Sequence, residues 1–166
     1  TGDTVGLFVT ACSNQFSSII CFEPDASNFS VLNRTLIDDR IVKIQSGVWN
    51  EESTLTFVAD KGASSTISTE TTTTTSVHVV AIDGVQACQK ATFIKMDIEG
   101  AERNALKGAA EVIRRNRPKL AISIYHSNEE MLGIPEYLHS TLEDYSFHVR
   151  HHSLNWQDTV LYAIPN

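Results

Sequence analysis

The chain has 166 residues, enough for one ordinary domain with a core of useful size. Hydrophobic residues make up 42% and charged residues 20%, which excludes a disordered chain, and the formal net charge of -7 argues against a broad grip on nucleic acid or an anionic membrane. Cys12, Cys21 and Cys88 form no CxxC pair, no run reaches the length of a membrane span and no signal peptide is visible, so a cytoplasmic setting is expected.

Strand-like and helix-like segments alternate, which predicts a parallel sheet covered by helices. Val5, Phe8, Val9 and Cys12 recur at helical spacing just after a short turn, Thr1-Gly2-Asp3-Thr4. Ser18 to Glu23 is an apolar run ending in an acid, a buried strand. Asp25 is placed to cap a helix carrying Phe29, Leu32 and Leu36 on one face. Ile41 to Gly47 reads as the next strand. The segment 49–83 is an insertion: Leu55 to Val58 and Val77 to Ala81 predict a β-ribbon joined by a Ser/Thr-rich surface loop that contains Thr71 to Thr75. Thr92 to Asp97 is again a strand. Glu99 to Arg117 predicts one long helix, with acids at its start, Ala105, Ala109, Val112 and Ile113 on one face, and arginines at its end. Arg114, Arg115, Arg117 and Lys119 form the one dense basic patch, read as a helix C-terminus. Leu120 to Tyr125 is a strand, and a helix over Glu129 to Leu142 is expected to kink or restart at Pro135. Phe147 to Arg150 and Thr159 to Ile164 predict an antiparallel return.

Ligands of open parallel sheets bind beyond the carboxyl ends of the strands. Those ends present Glu23, Gly47, Asp97, His126 and the pair His151-His152. Glu23 lies 21 residues after Gly2, a spacing at which a strand-end acid can accept hydrogen bonds from ribose hydroxyls. Asp97, Glu99 and Glu102 put three carboxylates at a strand-to-helix junction, able to hold a cationic sulfonium, bind a metal or stabilise the helix N-terminus. Helix stabilisation is the plainer role for Glu99 and Glu102; Asp97 is the better functional candidate. A neutral imidazole from His126, His151 or His152 can take a hydroxyl proton as that oxygen attacks an electrophile. His78, His139 and His148 read as surface or packing residues. No short ligand spacing such as HxxxH marks a metal site, yet a metal-dependent hydrolase using Asp97, His126 and His151 stays open, as does a non-catalytic nucleoside-binding protein. A nicotinamide dehydrogenase would share the ribose acid, but no full GxGxxG is present.

Four blocks carry a resemblance: Phe22-Glu23-Pro24-Asp25 with Asn28-Phe29, Phe93 to Glu102, Tyr125-His126 and Arg150-His151-His152. Together they resemble the FkbM-type methyltransferases over nearly the whole chain. The resemblance implies a Rossmann-like α/β fold of the class I methyltransferases, a three-layer sandwich with a mostly parallel sheet and an antiparallel last strand. The family's first strand and most of its glycine loop have no counterpart here, so residues 1–166 are expected to form a single methyltransferase domain that is a fragment lacking that strand. S-adenosylmethionine is the implied cofactor. Gly2 and Asp3 match the end of its glycine loop, Glu23 its ribose acid, and Asp97 with Glu99 the acidic motif beside it. His126 and His151 or His152 match histidines at the acceptor pocket, where a base is expected. The implied partner is a small-molecule hydroxyl acceptor, a sugar or secondary metabolite, with no nucleic acid and no membrane. Asp97, His126 and one of His151 and His152 are expected on the same sheet edge as Glu23.

Overall fold

The computed structural model describes residues 2–59, 73–155 and 157–166. The fold is mixed α/β, and the chain divides into two compact units: Thr1–Gly47 with Glu52–Val80, and Val48–Glu51 with Ala81–Asn166.

In the first unit, helix α1 (Asp3–Ala11) begins where helical spacing predicts it, yet buries none of its residues, and Leu7 is 73% exposed. Strands β1 (Ile19–Phe22) and β2 (Ile41–Ile44) pair in parallel, Ile19 opposite Ile41 and Phe22 opposite Ile44. Between them, α2 (Ala26–Thr35) is capped as expected: the Asp25 carboxylate accepts from Asn28 N at 2.8 Å and from the Ser27 hydroxyl at 2.6 Å. Those bonds, that of Ser27 foremost, hold the Asp25 carboxyl below its ordinary range. Arg40 joins the two loops before these strands. Its guanidinium lies 3.8 Å from the Phe16 ring, donates to the Asn14 side chain at 2.7 Å and pairs with Asp38 at 2.8 Å.

Strand β2 ends at Ile44, so Gly47 does not close it; Gly47 instead opens β3 (Gly47–Val48). The predicted ribbon is present as β4 (Ser53–Ala59) and β5 (Thr73–Val80), antiparallel with Ser53 opposite Val79, in a sheet of order β3-β5-β4. Of the five threonines expected in the loop, Thr73 to Thr75 instead begin β5, while Thr71 and Thr72 lie outside the described residues, as do positions 60–70 of the expected loop.

The second unit is built on the order β6-β7-β9-β8, from β6 (Phe93–Met96), β7 (Lys119–Ser123), β8 (Tyr145–His151) and β9 (Thr159–Pro165). β6 and β7 are parallel, and β9 runs antiparallel to both β7 and β8. The four-residue buried run Leu120 to Ser123 fits a strand flanked by neighbours and covered by helices. A core of Leu106, Val112, Leu120, Ile122, Ile134, Leu138 and Leu161 packs around it. Helix α5 (Asn128–Thr141) runs through Pro135 without restarting. The carbonyl that loses its partner to proline belongs to Met131, whose residue is 42% exposed, on the side where water can reach it.

The long helix expected over Glu99 to Arg117 is two helices, α3 (Glu102–Lys107) and α4 (Ala110–Asn116). Periodicity is continuous across the break because both helices bury the same kind of face. What interrupts them is close packing: a Cβ on Gly108 would collide with the Trp49 carbonyl oxygen, and Asn50 Cα lies 3.0 Å from the same point. Asp83 then caps α4 from far upstream, its two carboxylate oxygens accepting from Glu111 N at 3.0 Å and Val112 N at 2.8 Å, while Asp83 N donates to Gly108 O at 2.8 Å. Arg114 and Arg115 occupy the last turn of α4, as the basic patch predicted, and Arg117 caps it in a left-handed conformation.

Gly108→Ala is expected to destabilise the chain by about 1–3 kcal/mol through overpacking against the Trp49 carbonyl, lowering the melting temperature by roughly 3–10 °C in a calorimetric scan. Asp83→Ala should cost about 0.5–2 kcal/mol as the cap of α4 is lost, seen as a lower urea midpoint with unchanged slope.

Candidate active site at the carboxyl edge of β6 and β7

Strand β6 alternates, with Ile94 and Met96 buried and Phe93 and Lys95 facing out, and so delivers Asp97 to the end of the strand. The chain then turns sharply through Glu99 (φ 56°) and Gly100 (φ 94°), consecutive left-handed residues of which only glycine adopts that conformation freely. Glu102 holds this turn. Its Oε1 accepts from Ile98 N at 2.7 Å and its Oε2 from Gly100 N at 3.0 Å, and the residue is 0% exposed. Glu102, the first residue of α3, is therefore a buried clamp inside the turn, whereas the Glu99 side chain is 90% exposed.

Asp97 Oδ1 accepts from the Tyr125 hydroxyl at 3.0 Å, and Oδ2 takes the Lys95 ammonium at 3.3 Å. Burial works to raise the Asp97 carboxyl, but the Lys95 charge and hydrogen bonds from Ser123, Tyr125 and Lys95 outweigh it and hold the group below the carboxylate range. The same contact acts oppositely on its partner: burial, the bond to Asp97 and the charges of Asp97, Glu99 and Asp158 push the Tyr125 phenol up to about 12.

His126 lies just beyond β7 with a side chain only 8% exposed, surrounded by acids. Its Nε2 is 3.5 Å from Asp97 Oδ1 and 3.6 Å from Glu99 Oε2; its Nδ1 is 3.0 Å from Glu102 Oε1 and 3.9 Å from Glu130 Oε2. None of these approaches is aligned as a hydrogen bond, and both ring nitrogens and both Glu130 oxygens are buried without a hydrogen-bond partner among the described residues. Buried polar atoms in that condition cost about 1–3 kcal/mol each. Burial and the neighbouring Glu102 carboxylate, opposed in part by His126, push the Glu130 carboxyl above its ordinary range. Glu130 reaches this position because Ser127 caps α5, accepting from Glu130 N at 3.1 Å.

β8 and β7 both run antiparallel to β9, so the ends of β6, β7 and β8 share one edge of this sheet. Asp97, His126 and His151 thus lie on the same edge of this sheet, and Glu23 follows a strand of the other unit. His151 and His152 do not join the acidic cluster directly. His151 Nδ1 lies 2.8 Å from Thr159 Oγ1, and His152 Nε2 lies 2.9 Å from the Tyr162 hydroxyl. The Asp158 carbonyl accepts from His152 N at 3.0 Å. The metal-ligating set read from sequence, Asp97, His126 and His151, is replaced by Asp97, Glu102 and His126, one ligand atom of each lying within 4.8 Å of the others.

In the first unit, Gly2 takes the left-handed conformation (φ 99°) before α1, where Gly2, Asp3, Gly6, Leu7, Thr10, Thr35 and Leu36 line an open depression of about 470 Å³. Glu23 follows β1; its Oε1 accepts from Asp25 N at 3.0 Å, and Oε2 has no hydrogen-bond partner among the described residues. Sequence reasoning did not assign roles to Tyr125, Lys95 and Glu130. Tyr125 and Lys95 lie within the segments that resemble the FkbM-type methyltransferases. Glu130 carried only the Ser127-x-x-Glu130 spacing of a helix cap, which gives no hint that its carboxyl turns inward.

The sequence matches the family described as Methyltransferase FkbM domain over residues 3–149. Among solved structures it is similar to methyltransferase FkbM from Methylobacillus flagellatus KT, with a TM-score of 0.79, 29% identity and 98% of this chain covered. The chain spans 40% of the length of that protein. No curated protein matches the sequence. No helix among the described residues is long and apolar enough to cross a membrane. With the family match running from α1 into β8, this chain belongs to the FkbM methyltransferases.

Proposed function

We propose that the chain serves S-adenosylmethionine-dependent transfer of a methyl group to a hydroxyl oxygen, on a sugar or secondary metabolite. The observation that carries this reading is the Asp97–Tyr125–His126 cluster at the carboxyl edge of β6 and β7, in a chain of this family. Within each unit, the order is in keeping with a Rossmann-like fold: β1 and β2 are parallel in the first, and in the second β6 and β7 are parallel with β9 antiparallel between β7 and β8.

The donor chemistry fits the cofactor. Within the first unit, Glu23 keeps one carboxylate oxygen for ribose hydroxyls, and Gly2 and Asp3 border an open depression. Bound S-adenosylmethionine would supply an electrophilic methyl group. The chain's own part is to hold the acceptor oxygen in line and remove its proton. His126 is enclosed at both nitrogens, whereas His151 and His152 are exposed, each with one nitrogen against a hydroxyl and the other without a hydrogen-bond partner among the described residues. We therefore place the base on His151 or His152 and give His126 a different task, taken up below.

Two measurements test this reading. Glu23→Ala in the whole protein should weaken S-adenosylhomocysteine binding by about 1.5–3 kcal/mol, a loss of roughly tenfold to a hundredfold, by titration calorimetry. In a screen of hydroxylated sugars and secondary metabolites for methyl transfer, His151→Ala or His152→Ala should lower kcat by about 10²–10⁴ with S-adenosylhomocysteine affinity unchanged. No transfer to any hydroxyl, or full activity in both histidine variants, would contradict the assignment.

A further inference from the structure

We propose that Asp97 and His126 bind a divalent cation through Oδ1 and Nε2, with Glu99, Glu102 and Glu130 as outer carboxylates around the ring. Four carboxyl groups surround one buried imidazole, and Lys95 is the one ammonium within salt-bridge distance of any of them among the described residues. A fourfold acidic cluster alone is common on protein surfaces. What sets this one apart is that both nitrogens of a 92%-buried ring (8% exposed) lack any hydrogen bond and aim into it.

The spacing suits an ion. A cation held at about 2.0–2.2 Å by two ligands at right to tetrahedral angles separates them by about 3.0–3.5 Å. His126 Nε2 lies 3.5 Å from Asp97 Oδ1, a separation at which the two can share one ion. Glu102 is also close enough to count as a ligand, but both its oxygens already accept backbone N–H groups, which suits it better to orienting the ring from Nδ1 at 3.0 Å. Lys95 engages Oδ2 of Asp97 and so leaves Oδ1, with a lone pair beyond the Tyr125 bond, facing the ring. Carboxylate oxygens with one imidazole suit Mg²⁺, Mn²⁺ or Zn²⁺. Resting on the methyl-transfer reading, such an ion would polarise the acceptor hydroxyl and ease loss of its proton.

The test uses Mn²⁺ alone, without cofactor or acceptor. Electron paramagnetic resonance of free Mn²⁺ titrated with the chain should show a single saturable site, and pulsed spectra of the bound ion should show ¹⁴N coupling from His126. Asp97→Asn and His126→Gln should each weaken binding at least about tenfold, whereas Glu143→Gln, on the exposed stretch before β8, should bind as the unaltered chain does. Circular dichroism melts establish which variants are folded. Absence of saturable binding, or bound Mn²⁺ without ¹⁴N coupling, overturns the proposal even where a variant does not fold. Because the readout needs no methyl donor, its failure leaves the methyl-transfer reading standing, and failure of cofactor binding leaves the cation site standing.

Discussion

The second unit depends on one buried carboxylate. Glu102, fully inside the protein, accepts from Ile98 N and Gly100 N and thereby fixes a turn that two consecutive left-handed residues would otherwise leave loose. Charge-assisted bonds of this kind are about twice as strong as neutral ones, and in a buried site they lose little to solvent. Everything polar around the turn is arranged relative to that clamp. Asp97 ends the strand before it, Glu99 is thrown outward by it, and His126 comes to rest 3.0 Å from it on the Nδ1 side. The arrangement concentrates negative charge beside an imidazole, with Lys95 paired to Asp97 at its rim.

The supporting framework answers the same need for fixed backbone. Gly108 lets α3 and α4 meet against the Trp49 carbonyl, and Asp83 satisfies the amides that the break leaves open. α3 begins at Glu102. α5 contributes Glu130 through an ordinary serine cap, and Pro135 leaves that helix intact. Local chemistry of the usual kind, caps and close approaches, thus places groups that serve the cluster.

Much of the fold was legible in the sequence. Alternation and helical spacing located β1, β2, β6 and β7, the Asp25 cap, the β4–β5 ribbon and the antiparallel return of β8 and β9, because each depends on neighbours close along the chain. The division of one apparent helix into α3 and α4 was not legible, since the cause is a contact between Gly108 and Trp49, 59 positions apart. The site divided in the same way. Asp97 and His126 stood out at strand ends and come together, whereas the inward turns of Glu102 and Glu130 depend on burial that an acidic residue does not advertise. Gly47 was assigned to the wrong strand because β2 stops three residues earlier and the chain re-enters a different sheet.

The clamp is measured most directly by amide hydrogen exchange at Ile98 and Gly100. If Glu102 organises this edge, both amides exchange slowly in the unaltered chain, and Glu102→Gln speeds them by roughly ten- to a hundredfold while the β6–β7 core amides are unchanged. Fast exchange at both positions in the unaltered chain, or the same slow rates after Glu102→Gln, would contradict the account.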